Sequence, residues 1–246
     1  MKLTELASFD VVHEHIAWPW IAFDASGSRF AFASSKSRIA SRVRRDGSGD
    51  GSANVADGAT FTVPADVALR SFTLDSTGTL LALVGAAGDA SLVVTTNHAG
   101  EEQKRSSMDA LAGAGFTAHA IAFDRSGTRL WLSAESATET AVVLVDARTH
   151  AVLGMVRSPG FPPPSMHELW LHPEQDAVVV LAACGEDGTF ARVARWSGAN
   201  LEAVTTALDD GSIPAGFVGF STDGARLHLA EADELRTHAW PGLEEL

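Results

Sequence analysis

Ile121-Ala122-Phe123-Asp124-Arg125-Ser126-Gly127-Thr128-Arg129-Leu130 decides the fold of this chain, because the same phrase returns along its whole length. Ile21 to Phe30, Phe72 to Leu81 and Val218 to Leu227 keep its order of apolar strand, polar turn and apolar restart. Leu169 to Val178 is a degenerate copy with Gln175 in the glycine column. That column falls at 27, 78, 127, 175 and 224, in steps of 51, 49, 48 and 49 residues. A period of this size, with a strand on either side of a turn, marks one supersecondary unit repeated around or along an axis.

Alternating apolar residues and turn signals predict four strands in each unit. In the third they run over 120–124, 129–135, 141–146 and 151–158; in the fourth the last three cover 178–183, 190–196 and 201–208. The 22 residues after Gly224 and the 27 from Met1 through Gly27 together make one further period of 49. The expectation is therefore an all-β, five-bladed β-propeller in a single domain over residues 1–246, each blade a four-stranded antiparallel sheet. Residues 4–11 fall where the outer strand of the last blade is due if the ends are joined, so an N-terminal strand is expected to close the ring and remove an open edge.

The innermost strands carry an apolar pair in every repeat: Ile21 and Phe23, Phe72 and Leu74, Ile121 and Phe123, Leu169 and Leu171, Val218 and Phe220. Between the members of each pair stand the small residues Ala22, Thr73, Ala122 and Gly219, as crowding near an axis requires, and Trp170 breaks that series. Trp170 either plugs the gap between small neighbours or floors a ligand pocket. Asp24, Asp75 and Asp124 each precede a Ser/Thr-Gly turn, where a carboxylate accepts backbone amides and glycine takes a positive φ. They are read as turn residues and not as catalytic acids.

With 31 acidic and 18 basic residues the net charge is -13, which repels a nucleic-acid backbone over most of the surface. Arg38, Arg42, Arg44 and Arg45 form a basic run on an expected strand, open to two readings: contact with an acidic partner, or a solvated edge. The single cysteine, Cys184, excludes an internal disulfide and ends an apolar strand, which reads as a buried small residue. The opening Met1-Lys2-Leu3-Thr4-Glu5-Leu6 does not read as a targeting segment, and no stretch reaches membrane-spanning length, so a cytoplasmic location is expected.

Phe220-Ser221-Thr222-Asp223-Gly224-Ala225-Arg226-Leu227 resembles the strand-turn-strand phrase of WD-repeat and related bacterial propellers. Ala141 to Leu153 is similar to the passage between third and fourth strands of WD-repeat or YVTN-type blades, with Val145-Asp146 where a WD-repeat has Trp-Asp. The resemblance implies a rigid platform for protein or peptide recognition, in a family poor in enzymes. It also implies that the segments before each innermost strand share one face. Those segments carry Trp18, Trp20, Phe116, Phe161 and Phe217, which either anchor a partner or cap the interfaces between blades.

His119 and His167 occupy the same repeat column, eight before the glycine column, in consecutive repeats, and with His13 and His15 offer imidazoles that could meet on a metal or ligand. A second metal reading is sharper in spacing: Asp46, Ser48, Asp50, Ser52, Asn54 and Asp57 place oxygen-bearing side chains at positions 1, 3, 5, 7, 9 and 12 of a calcium-type loop, with Gly51 at 6. The same Gly-Ser-Asp composition also makes an ordinary flexible loop. The expected function is a non-catalytic protein-interaction scaffold with no required cofactor and a partner bearing a basic patch. A carbohydrate-binding lectin is the alternative, and a glycan-cleaving enzyme using Glu14, Asp66 or Glu168 a further one.

Overall fold

The structure, a computed structural model, describes residues 21–23, 29–35, 38–45, 54–162, 165–184, 188–204, 206, 208, 216–231 and 234–246. Five antiparallel sheets follow one another along the chain. The first holds β1 (Ile21–Phe23), β2 (Arg29–Ser35), β3 (Arg38–Arg45) and β4 (Asn54–Thr62). The second holds β5 (Ala68–Leu74), β6 (Leu80–Ala87), β7 (Ala90–Asn97) and β8 (Glu102–Ser107), and a single helical turn, α1 (Met108–Ala112), leads out of it. The third comprises β9 (Thr117–Phe123), β10 (Arg129–Glu135), β11 (Glu139–Asp146) and β12 (Val152–Pro159). The fourth comprises β13 (Met166–Leu171), β14 (Ala177–Ala183), β15 (Thr189–Trp196) and β16 (Leu201–Val204); the fifth shows β17 (Gly216–Phe220), β18 (Arg226–Glu231) and β19 (Glu234–Ala239). Each sheet is a meander in sequence order, which short turns between antiparallel strands impose.

The period-2 alternation of the second strands explains how the sheets stack face to face. Leu81 and Leu83 of β6 pack on the first sheet with Phe61 and Ile39, while the intervening Ala82 and Val84 pack on the third with Ile121 and Phe123. In β10, Leu130 and Leu132 face the second sheet and Trp131 faces the fourth, against Val178 and Val180. In β14, Val179 and Leu181 turn the other way, onto Leu227 and Leu229 of the fifth sheet. Both faces of these strands are covered, so they read as nearly unbroken apolar runs. Trp131 is 1% exposed, and burial of a ring that size contributes on the order of 3 kcal/mol. The outer strands β8 and β12, covered on fewer sides, contain no fully buried residue.

Strand positions agree with the sequence reading to within a few residues, and the differences have local causes. Val218 does not join Phe72 and Ile121, its counterparts in the second and third repeats, in the core: it is left over in a bulge between Phe217 and Gly219 and is 54% exposed. Helix α1 was not expected; Ser107 caps it by accepting from the Ala110 amide, and Met108 and Leu111 bury against the second and third sheets. The outer edge of β19 is engaged at one end by the last residues of the chain, through the Glu245 bridge to His238 and the Leu246 amide donating to Thr237. Residues 4–11, expected on that edge, lie outside the described residues. No described helix is long and apolar enough to cross a membrane.

Candidate functional site

Ionisable and hydroxyl side chains gather at both ends of the sheets, and the site is found by asking which of them the backbone uses. At the turn end, Asp75 accepts the amides of Thr79 and Leu80 at 2.8 Å, and Asp124 accepts those of Thr128 and Arg129 at 3.0 Å. Gly78 and Gly127 supply the positive φ of 73° and 70° that completes each turn. The two described aspartates of the column are thus turn residues, as expected; Asp24 lies outside the described residues. In the fourth repeat His172 takes the same role, its Nδ1 accepting the amides of Glu174 and Gln175 at 3.0 and 2.9 Å while Nε2 donates to the Gly224 carbonyl. Ser221 does so in the fifth, accepting the Arg226 amide at 2.9 Å.

At the opposite end β9, β10 and β13 bring three side chains together. His119, third residue of β9, and His167, second of β13, stack with ring centroids 4.4 Å apart and planes inclined by 27°. Glu135, the last residue of β10, lies under both, its Oε2 at 3.7 Å from His119 Nε2 and 3.6 Å from His167 Nε2. Ser165 Oγ donates to the same Glu135 oxygen and stands 3.2 Å from His167 Nε2. On the far side of the ring, His167 Nδ1 is 2.7 Å from Ser133 Oγ, and Phe161 sets its edge against the imidazole at 5.2 Å. Among the described residues this is the one place where three metal-ligating side chains converge.

The local electrostatics fix the charge of two members. Burial, and then the neighbouring His167, push His119 down to about 4 against the pull of Glu135, so its imidazole is neutral at pH 7. Burial alone would raise Glu135; the neighbouring His167 and the hydrogen bond from Ser165 outweigh it and hold the carboxyl below its ordinary value, ionised. His119 and Glu135 are therefore a neutral imidazole beside a carboxylate, not an ion pair, at neutral pH. A cavity of about 130 Å³ adjoins the cluster between the third and fourth sheets; Ser133 and Phe161 line both, with Arg192 and Thr140 as further polar walls.

Of the residues expected to serve a site, His119 and His167 are brought together. Phe116 and Phe161 are each 5% exposed. Phe116 packs in the core shared by the second and third sheets under the Arg157 guanidinium, and Phe161 packs with Ala182, Cys184 and Phe190 under that of Arg192. These rings shape the face from beneath and offer little surface to a partner. Trp170 packs against the core between the fourth and fifth sheets and donates from Nε1 to Glu168 at 3.0 Å. Phe217 pairs with Leu229 across β17 and β18. Trp18, Trp20, His13, His15 and Glu14 lie outside the described residues, as do Asp46, Ser48, Asp50 and Ser52 of the calcium-type spacing. Asn54 and Asp57 stand on β4, where Asp57 meets Arg42 at 3.3 Å. Asp66 is held by both Arg105 terminal nitrogens, and Cys184 is buried.

The sequence reading passes over Glu135, Ser133 and Ser165, although the repeat held a signal for two of them. Eight residues after the glycine column the other repeats carry Ser35, Ala86, Ala183 and Ala232, so Glu135 is the ionisable exception. Six after it stand Ala33, Val84, Leu181 and Ala230, against Ser133.

The architecture is of the β-propeller type. The chain is similar in structure to the β-propeller domain of Cps50 (Swd1) from Myceliophteria thermophila, at 16% identity and a TM-score of 0.57, over 92% of this chain and 70% of that one. It is similar also to a "putative 6-phosphogluconolactonase" from Bacteroides uniformis, at 11% identity and a TM-score of 0.57, over 98% of this chain and 85% of the other. No protein-family model and no curated protein sequence matches the chain.

Proposed function

We propose that the chain is a non-catalytic recognition module, a five-bladed propeller type of platform that receives a protein or peptide segment on the face where its innermost strands begin. The observation that carries this reading is the division of labour between the two ends of the sheets. At the turn end the described aspartates of the repeat are taken up by backbone amides; at the strand-start end His119, Glu135 and His167 serve no turn. Beside them Met166 is 67% exposed, a flexible apolar side chain of the kind that adapts to a partner. The stacked sheets hold this face rigid, which limits the entropy lost on binding. A net charge of -13 favours a partner segment with a basic patch and makes its association slow as salt rises. The likeness to the Swd1 β-propeller domain supports the platform architecture of this reading.

The test is a capture experiment from lysate of the source organism with two baits, the wild-type chain and Met166→Asp. A charge placed on this exposed side chain should leave the melting temperature within a few degrees, since surface substitutions change stability by about 0.5 kcal/mol or less. A stoichiometric protein retained by the wild type and lost from Met166→Asp supports the docking face. Equal retention by both baits moves the site elsewhere.

A further inference from the structure

We propose that His119, Glu135 and His167 bind a divalent cation of the zinc class through His119 Nε2, His167 Nε2 and Glu135 Oε2. The inference rests on side-chain geometry and stands whether or not a partner docks on the same face. Two imidazole nitrogens and one carboxylate oxygen are a donor set suited to zinc and its first-row neighbours, and not to calcium or magnesium, which take oxygen.

Spacing is the first support. Around an ion with bonds of about 2.0–2.1 Å, ligand atoms of a tetrahedron lie roughly 3.4 Å from one another. Glu135 Oε2 lies 3.7 Å from one Nε2 and 3.6 Å from the other, and the ligand atoms of all three residues lie within 4.8 Å of one another. Closing the set onto an ion asks the carboxylate oxygen for shifts of a few tenths of an ångström and asks the two rings, inclined by only 27°, to turn until both Nε2 lone pairs, which lie in the ring planes, meet at one point.

Orientation is the second. A metal-bound histidine commonly donates its other ring N–H to a fixed acceptor, which settles both tautomer and ring plane. Ser133 Oγ stands 2.7 Å from His167 Nδ1, and the edge of Phe161 bears on the same ring, so Nε2 is aimed at the carboxylate by contacts on its far side. The Ser165 hydroxyl, bonded to Glu135 and 3.2 Å from His167 Nε2, sits at the fourth side of the set. It is placed to remain on the carboxylate as an outer partner or to give way to a water on the ion. Three strands from two sheets supply the donors, so the ion would also tie the third sheet to the fourth.

The experiment uses the full chain, stripped with chelator and titrated with zinc sulfate by calorimetry. One equivalent of tight binding is expected, absent in Glu135→Gln and His119→Gln, and unchanged in His98→Gln, which alters an exposed histidine outside the cluster. Ser133→Ala should weaken affinity by about 10- to 100-fold while keeping the stoichiometry, because it removes an outer partner and no ligand. X-ray absorption at the zinc edge of the wild type gives a readout that needs no variant: two imidazoles and an oxygen ligand at about 2.0–2.1 Å. A flat titration overturns the proposal. So does binding that survives Glu135→Gln and His119→Gln, or an absorption spectrum without two imidazoles.

Discussion

At one end of β9 and β10 the Asp124 carboxylate accepts the Thr128 and Arg129 amides at 3.0 Å and carries the Arg129 guanidinium; at the other end of the same strands Glu135 meets Ser165, His119 and His167. Both carboxylates are largely shielded, with side chains 2% and 16% exposed. Burial therefore does not separate them. What separates them is the kind of partner: Asp124 satisfies backbone groups that any folded turn must satisfy, and Glu135 faces side chains that the fold does not require in that place. A shielded carboxylate answering to backbone amides is a piece of the turn, and one answering to two imidazoles has the partners that the proposed ion site needs.

The largest break of this contrast is Asp124→Ala. It leaves two amides without their acceptor and the Arg129 guanidinium with Asp176 alone among the described residues, and removing one partner of a buried charged network costs about 3–5 kcal/mol. Urea unfolding at pH 7 should show a loss in that range; a loss under 1 kcal/mol would mean that the turn is held by Gly127 and strand pairing without the carboxylate.

A middle-sized test concerns His150, also at the turn end, in the β11–β12 connection. It is 3% exposed with φ 57°, its Nδ1 lies 3.1 Å from Ser106 Oγ, and Nε2 is buried with no hydrogen-bond partner among the described residues. Burial, followed by nearby Lys104, pushes it down to about 4 from the ordinary value of 6.5. The unfolded chain therefore takes up this proton first as pH falls. Stability is unaffected above pH about 6.5, declines below it, and levels off near pH 4, with a loss on the order of 2 kcal/mol between pH 7 and pH 5. His150→Asn, neutral throughout and tolerant of a positive φ, should flatten stability against pH in that window by this amount. His119 keeps its own share of the slope in the variant. Superimposable curves would show that His150 is not the group responsible.

The turn end was legible in the sequence because its chemistry is contiguous. Asp124, Ser126, Gly127 and Thr128 are close neighbours in the chain, and the spacing that makes the turn is the spacing that repeats. The sheets were legible for the same reason, since Leu81-Ala82-Leu83-Val84 is an unbroken apolar run, the mark of a strand covered on both faces. His119 and His167 could be paired through their shared column, but Glu135 enters from another strand, and its approach depends on how the third sheet packs on the fourth. The depth of Phe116 and Phe161 was hidden because side-chain direction in a loop carries no period. The bulge that turns Val218 outward left no mark either, since Phe217-Val218-Gly219-Phe220 alternates as an unbroken strand does.

The most direct test of the contrast between the two ends is the zinc-dependent gain in unfolding free energy, measured in urea for the wild type, Asp124→Asn and Glu135→Gln. Asp124, the residue after β9, lies five residues along the chain from His119, roughly 16 Å away, far enough for the effects to add. With free zinc at one hundred times its dissociation constant, the wild type should gain about 2.7 kcal/mol. Asp124→Asn should start from a lower stability and gain the same amount, while Glu135→Gln should start near the wild type, within about 1 kcal/mol, and gain nothing. An equal gain in Glu135→Gln, or a gain abolished by Asp124→Asn, would contradict the assignment of folding to one end and binding to the other.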